Sequence, residues 1–264
     1  MNMLRHVVSG DARGPAILFL HGFMGSAADW WGVRAALNGS HRCLAVDLPG
    51  HGASLDLPHP QVYTAGGAVL GLLDLLDELN IERPVVVGYS MGGRLALYLA
   101  LRHPERCAGL FLESASPGIE NPAERRARRE ADEERARRLE SGDFETFLAD
   151  WYRQPLFASL ARHERLVEKI VEARRGNDPG DLARSLRGLG AGSQPSQWDE
   201  LAGLQVPTLA VAGELDEKYV GIAGRMASLN PRLRTAVVAG AGHNVRLEAP
   251  EAHLASLQGF LGLS

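Results

Sequence analysis

Only two cysteines, Cys43 and Cys107, occur in the 264 residues, which excludes a disulfide framework and a Cys-rich zinc site. Each lies beside an apolar run expected to be a buried strand, and so few thiols fit a reducing cytoplasm. Long hydrophobic runs are missing as well. No stretch reaches the roughly 18 to 20 continuous apolar residues of a membrane span, and residues 1–15, interrupted by Asn2, Arg5, His6, Asp11 and Arg13, lack the apolar segment of a secretory signal. Neither sign of charge dominates: 28 Lys plus Arg against 32 Asp plus Glu leave a formal charge of -4, which argues against a nucleic-acid partner. There is no His-Glu-x-x-His and no phosphate-loop lysine motif, and the glycines within 188–192 follow no strand pattern, so neither a metal nor a nucleotide site is expected. Nothing in the sequence specifies an oligomeric state, and a monomer is compatible with it.

What is present is apolar and evenly spread. Hydrophobic residues make up 45% of the chain, too many for a disordered protein, and the length suits one large domain because single cores stop growing near ~250 to 300 residues. Short apolar runs ending in Gly, Pro or Asp recur at 17–20, 43–46, 84–87, 108–112, 208–211 and 235–238. Their lack of polar alternation predicts parallel strands buried on both faces. Helical periodicity separates them, as at 69–79, where Leu72, Leu73, Leu76 and Leu79 oppose Asp74, Asp77 and Glu78, and at 91–102, which is apolar nearly all round. Alternating strand and helix predicts a mostly parallel, doubly wound α/β sheet. The strand pattern stops over 117–202 and gives way to three or four helical segments. The expected division is therefore a core of 1–116 and 203–264 carrying a helical cap of 117–202. Within the cap, 124–140 alternates Arg with acidic residues, as a solvated helix held by i,i+4 ion pairs would.

The chemistry concentrates at Val85-Val86-Val87-Gly88-Tyr89-Ser90-Met91-Gly92-Gly93. A buried strand running into Gly-x-Ser-x-Gly and then a helix forces the serine onto a sharp turn, with Gly88 and Gly92 where a Cβ would collide. Serine is nearly inert at neutral pH without an adjacent base oriented by an acid. Two later strand ends supply both: Gly213-Glu214-Leu215-Asp216, and Gly240-Ala241-Gly242-His243. Ser90, Asp216 and His243 stand in the order expected when all three lie beyond the C-terminal ends of parallel strands. Asp216 is preferred to Glu214 for its place in the loop. Developing negative charge needs preorganised donors, and the candidates are the backbone N–H groups of Met91 and of Phe23, the latter in His21-Gly22-Phe23-Met24-Gly25. His21 is read as a hydrogen-bonder that fixes this loop. Arg94, four residues after Ser90 in an apolar helix, needs a partner, either an anionic substrate group or an internal carboxylate.

These motifs, with Asp47-Leu48-Pro49-Gly50-His51-Gly52 and His103-Pro104-Glu105-Arg106, resemble the α/β-hydrolase superfamily and imply its fold. The cap segments are more specific: Ser116-Pro117-Gly118-Ile119, Glu124-Arg125-Arg126-Ala127-Arg128-Arg129, residues 150–160, Ser185-Leu186-Arg187-Gly188 and Gln194-Pro195-Ser196. Together they resemble the 2-succinyl-6-hydroxy-2,4-cyclohexadiene-1-carboxylate synthases of menaquinone biosynthesis, along nearly the whole chain. That resemblance implies a lyase that eliminates pyruvate from a small polycarboxylate, with Ser90, His243 and Asp216 abstracting a proton and no cofactor required. It maps the family's anion-binding arginines onto Arg94, Arg126 and Arg174, the last with Arg175 beside it as an alternative. Pocket positions fall on Tyr89, Trp151 and Lys218. Glu120 departs from the pattern, standing near a position where some members carry a neutral amide. The segment before 17–20 leaves room for only one or two strands of the family's eight-stranded sheet. The rival reading is a carboxylesterase or carbon-carbon bond hydrolase using the same three residues.

Overall fold

The apolar runs pair into one sheet. The computed structural model describes residues 4–262, so the extreme ends of the two expected core segments, 1–3 and 263–264, lie outside the described residues. Among those described, β1 (His6–Gly10), β2 (Ala16–Leu20), β3 (Arg42–Val46), β4 (Val85–Tyr89), β5 (Gly109–Glu113), β6 (Thr208–Gly213) and β7 (Leu233–Val238) form a seven-stranded sheet in the order β1-β3-β2-β4-β5-β6-β7. Every pairing is parallel except β1 against β3. β4 and β5 are buried along their whole length and β2 and β3 after their first residue, which is why they read as unbroken apolar runs. β7 departs from the expectation of burial on both faces. It is one of the two edge strands, and Arg234, Thr235 and Val237 are exposed.

Helices cover both faces of the sheet. α1 (Trp31–Leu37), α2 (Ala65–Glu78) and α3 (Met91–Arg102) follow the first strands. α2 begins four residues before the predicted 69, because Thr64 caps it by accepting from the Gly67 N–H at 3.1 Å. Between β5 and β6 come α4 (Pro122–Ser141), α5 (Phe144–Tyr152), α6 (Glu164–Arg174) and α7 (Pro179–Leu189), with two short 3₁₀ turns between α5 and α6. α8 (Glu217–Leu229), α9 (Val245–Glu248) and α10 (Pro250–Leu261) complete the chain. One large apolar cluster unites Leu18, Leu44 and Val86 with α2 and α3. A second unites Ile17, Phe19, Val87 and Phe111 with α1 and α10 on the opposite face.

The helices between β5 and β6 bury a smaller cluster of Ala136, Leu139, Phe147, Leu148, Leu182 and Leu186, and Met24 from the loop after β2 completes it. Polar ties add to that contact. Asn177 donates to the Met24 carbonyl at 3.0 Å, and the Tyr63 hydroxyl donates to the buried Asp181 carboxylate at 2.6 Å. Chain direction across the sheet reverses between β2 and β4, so the loops leaving these neighbours open a crevice at their C-terminal ends. The four helices lie over that crevice.

Candidate active site

Ser90 stands between β4 and α3 with φ +50° and ψ -106°, a left-handed backbone that a side chain adopts only when its surroundings impose it. The glycines explain how the turn closes so tightly. A Cβ on Gly88 would lie 2.6 Å from the Gly92 carbonyl oxygen, and one on Gly92 would lie 2.3 Å from that of Leu20. The Ser90 N–H is held by the Glu113 carbonyl at 2.9 Å.

Beyond the hydroxyl, His243 Nε2 lies 3.2 Å from Ser90 Oγ, and His243 Nδ1 lies 2.6 Å from Asp216 Oδ2. Asp216 immediately precedes α8, just past β6, and His243 sits in the loop after β7. The imidazole is 1% exposed and ringed by aromatic side chains, with Tyr219 at 4.7 Å, Tyr89 at 5.6 Å and Phe157 at 5.9 Å between centroids. Such walls keep bulk water off the ring while leaving one nitrogen for the serine. Glu214 instead accepts from the Gly240 N–H at 2.9 Å and is exposed, so the acid beside the histidine is Asp216. Phe23 and Met91 line the same cavity. Met91 opens α3, where first-turn N–H groups have no intrahelical acceptor and remain available to an anion. His21 fixes the Phe23 loop, with Nε2 accepting from the Leu48 N–H at 3.0 Å and Nδ1 lying 2.7 Å from the Gly22 carbonyl oxygen. Burial lowers its pKa, which keeps it a neutral acceptor.

The cavity above Ser90 is also lined by Tyr89, Arg94, Arg128, Arg135, Trp151 and Arg174. Arg174 is buried and makes a two-pronged ion pair with Asp29, both contacts 2.7 Å. Burial alone would lower the pKa of this guanidinium, but the Asp29 carboxylate more than offsets it and the net shift is upward. Arg175, the alternative, points outward and pairs with Glu145 at 2.9 Å. Arg94 is held without a carboxylate, its Nε donating to Gln194 Oε1 at 2.8 Å and its Nη2 to the Leu189 carbonyl at 3.1 Å. Burial brings its pKa down to about 10, so it stays charged at neutral pH. Burial likewise pushes the Tyr89 phenol well above its ordinary range, with Glu113 adding to the effect, and the group remains a neutral hydroxyl.

Two expected residues do not reach the cavity. Arg126 is exposed on the far side of α4. The residues of α4 that face inward are Arg128, Asp132 and Arg135, spaced i, i+4 and i+7, with buried Ala136 and Leu139 continuing the stripe. At about 100° per residue, Arg126 lies some 200° around the helix from Arg128. Lys218 is exposed for the same reason: its neighbour Tyr219 turns inward, and the lysine Nζ stands 5.9 Å from the Tyr219 ring centroid on the outside. Glu120 pairs with Arg225 at 2.8 Å, away from the cavity lining. Arg128, Arg135, Asp29 and Tyr219 are among the lining residues that sequence reasoning missed. For the first two the signal was present, since extending the Ala136 and Leu139 stripe backwards selects Arg128. Among the described residues no three His, Cys, Asp or Glu side chains are grouped as metal ligands would be.

Charge in this cavity is lopsided. Four guanidiniums and one carboxylate, Asp29, line it, and a second carboxylate, Asp132, lies behind the lining, 2% exposed and accepting from Arg128 Nε at 2.8 Å and Arg135 Nη1 at 3.1 Å. The site can therefore hold a multiply charged anion against a serine whose hydroxyl faces a histidine.

Comparison with known proteins agrees with this geometry. The alpha/beta hydrolase fold family matches residues 15–250. The chain is 35% identical over 251 residues to 2-succinyl-6-hydroxy-2,4-cyclohexadiene-1-carboxylate synthase of Enterobacter sp. (strain 638), covering 94% of this chain and 92% of that protein. It is 33% identical over 270 residues to Protein PHYLLO, chloroplastic, of Arabidopsis thaliana, matching 97% of this chain but spanning only 16% of that much longer protein. The solved structure of MenH from S. aureus superimposes with a TM-score of 0.93 at 31% identity, over 99% of this chain and 98% of that one. The chain belongs to the alpha/beta hydrolase fold family and, within it, to the 2-succinyl-6-hydroxy-2,4-cyclohexadiene-1-carboxylate synthases.

Proposed function

We propose that this protein eliminates pyruvate from 2-succinyl-5-enolpyruvyl-6-hydroxy-3-cyclohexene-1-carboxylate, forming 2-succinyl-6-hydroxy-2,4-cyclohexadiene-1-carboxylate for menaquinone biosynthesis. The observation that carries the reading is the meeting, in one cavity, of a serine-histidine-aspartate array with four guanidiniums that have only two carboxylates between them. A neutral ester would gain nothing from that surplus, whereas a substrate with several carboxylates would. Family membership supports the same reaction.

The chemistry follows from the two names. His243 Nε2 takes the Ser90 hydroxyl proton as Ser90 Oγ removes the proton from the ring carbon bearing the succinyl group. Asp216 holds the imidazole in the tautomer this requires. The electron pair passes to the succinyl ketone as an enolate, met by the N–H groups of Phe23 and Met91, each worth about 3 to 4 kcal/mol in the barrier. The pair then returns through the ring, the alkene shifts by one bond, and the ring C–O bond to the enolpyruvyl group breaks. The proton leaves with enolpyruvate, which becomes pyruvate. Atoms balance without water or an acyl-enzyme. Arg94, Arg128, Arg135 and Arg174 hold the carboxylates, while Tyr89 and Trp151 shape the wall.

In this reading 117–202 acts as a cap on a core of 1–116 and 203–264, supported by the way Met24 completes its apolar cluster and Asp29 anchors Arg174. Two buried free cysteines, Cys43 and Cys107, fit a cytoplasmic setting. The test is to supply freshly made enolpyruvyl substrate and follow pyruvate and the conjugated diene together. Equal yields of both are expected. Cleavage of a generic chromogenic ester with no pyruvate formed would favour the hydrolase alternative.

A further inference from the structure

Of the four cavity arginines, three are held by carboxylates and one is not. Arg174 has Asp29, and Arg128 and Arg135 share Asp132. Arg94 has only neutral acceptors, the Gln194 amide and the Leu189 carbonyl. The contrast matters because Arg94 lies one helical turn after Ser90 and is as deeply buried as Arg174.

For stability alone a carboxylate would be the better partner, since charge-assisted hydrogen bonds are roughly twice as strong as neutral ones and a buried guanidinium strongly favours a counter-ion. Gln194 is 1% exposed, and its Nε2 has no partner in the protein, so the amide is not retained to complete a larger hydrogen-bond network. A guanidinium can only donate, which fixes the amide with Oε1 towards Arg94. The remaining titratable groups that face Arg94 do not neutralise it. They are Tyr219 from α8, whose phenol is raised by burial and stays uncharged, and Arg128 with Asp132 from α4, already paired with each other. Gln194 is itself set by its backbone: its N–H donates to the Gly190 carbonyl at 3.1 Å, closing the turn that follows α7.

We propose that Gln194 is a positioning residue that determines specificity, orienting Arg94 beside the nucleophile while leaving its charge free for a substrate carboxylate. An acid at this position would keep the geometry and cancel the charge. The inference rests on the pyruvate-eliminating reading and names the part of the site that selects a polyanion over an uncharged substrate.

The experiment compares wild type, Q194E and Gln194→Met on the enolpyruvyl substrate, measuring KM and kcat separately. Labelling of Ser90 by a neutral fluorophosphonate reports whether the catalytic array is intact. Q194E should raise KM roughly 10- to 100-fold, the loss of one charge-assisted contact, with labelling unchanged. Gln194→Met, which removes the acceptor without adding charge, should raise KM by much less. An unchanged KM in Q194E, or equal rises in both variants, overturns the proposal. Should Q194E fail to fold, Arg94→Gln removes the same charge from the other side, and an unchanged KM there overturns it equally. Wild-type protein that releases no pyruvate refutes the underlying reading and takes this inference with it, a result distinct from the other two.

Discussion

Replacing Arg128 by Ala should weaken capture of the anionic substrate, whereas the same change at Arg126, two residues earlier, should not. Arg128 lines the cavity and its Nε is held at 2.8 Å by Asp132, which leaves the terminal nitrogens of its fork for a carboxylate. A charge-assisted contact of this kind contributes about 1.5 to 3 kcal/mol, which corresponds to a KM raised roughly 10- to 150-fold. Arg126 is exposed and faces away, so its loss should fall within about 0.5 kcal/mol, or little more than twofold. The assay is pyruvate release coupled to lactate dehydrogenase, run over substrate concentration so that KM and kcat separate. Ser90 labelling by a neutral fluorophosphonate should be the same in both variants. If Arg126→Ala loses as much as Arg128→Ala, the rotation assigned to α4 is wrong and with it the set of cap residues said to hold the substrate.

Removing Asp29 tests the buried pair beneath the cavity. With side chains only 8% and 11% exposed, Asp29→Asn would leave Arg174 without a counter-ion and should cost about 3 to 5 kcal/mol in urea unfolding; a loss below about 1 kcal/mol would contradict the pairing. Gly92→Ala places a Cβ 2.3 Å from the Leu20 carbonyl oxygen, so a clear drop in Tm, or no folded protein, is expected, and a wild-type Tm would refute the elbow geometry. Burial lowers the pKa of both His21 and His51, so the unfolded chain binds their protons first as pH falls. Stability should be level above the ordinary histidine value of about 6.5 and decline below it. The depressed Asp29 carboxyl, pulled down by Arg174 against the opposing effect of burial, should add a further loss below about pH 4. A Tm that does not change between pH 7 and pH 5 would contradict the histidine part.

Much of this was legible before any coordinates because the decisive residues sit where chain direction changes. A run such as Val85-Val86-Val87 can only be a buried strand, and the glycines on either side of Ser90 then have one geometric reading. Asp216 and His243 each follow another such run by a few residues, so their meeting at 2.6 Å was written in the strand order. The cap was harder. In Arg125-Arg126-Ala127-Arg128-Arg129 one residue type falls on several faces of the helix, with Arg125 and Arg129 sharing one, so the run itself does not say which arginine turns inward. Lys218 was expected in the pocket, yet it is exposed, and its neighbour Tyr219 lines the cavity instead. Edge position hid the exposure of β7, whose composition looks like that of an inner strand. No local pattern could reveal the partner of Arg174, because Asp29 lies 145 residues away in sequence.

The central claim is that Ser90 and His243 drive an elimination in which the ring C–O bond breaks without hydrolysis. It is tested most directly by single-turnover reaction of excess wild-type protein with the enolpyruvyl substrate, alongside Ser90→Ala, with intact-mass measurement of the protein throughout. One equivalent each of pyruvate and cyclohexadiene should form with no adduct on wild type, and Ser90→Ala should bind the substrate but slow its conversion by orders of magnitude. An acyl-enzyme on Ser90, or full-rate pyruvate release by Ser90→Ala, would contradict the account.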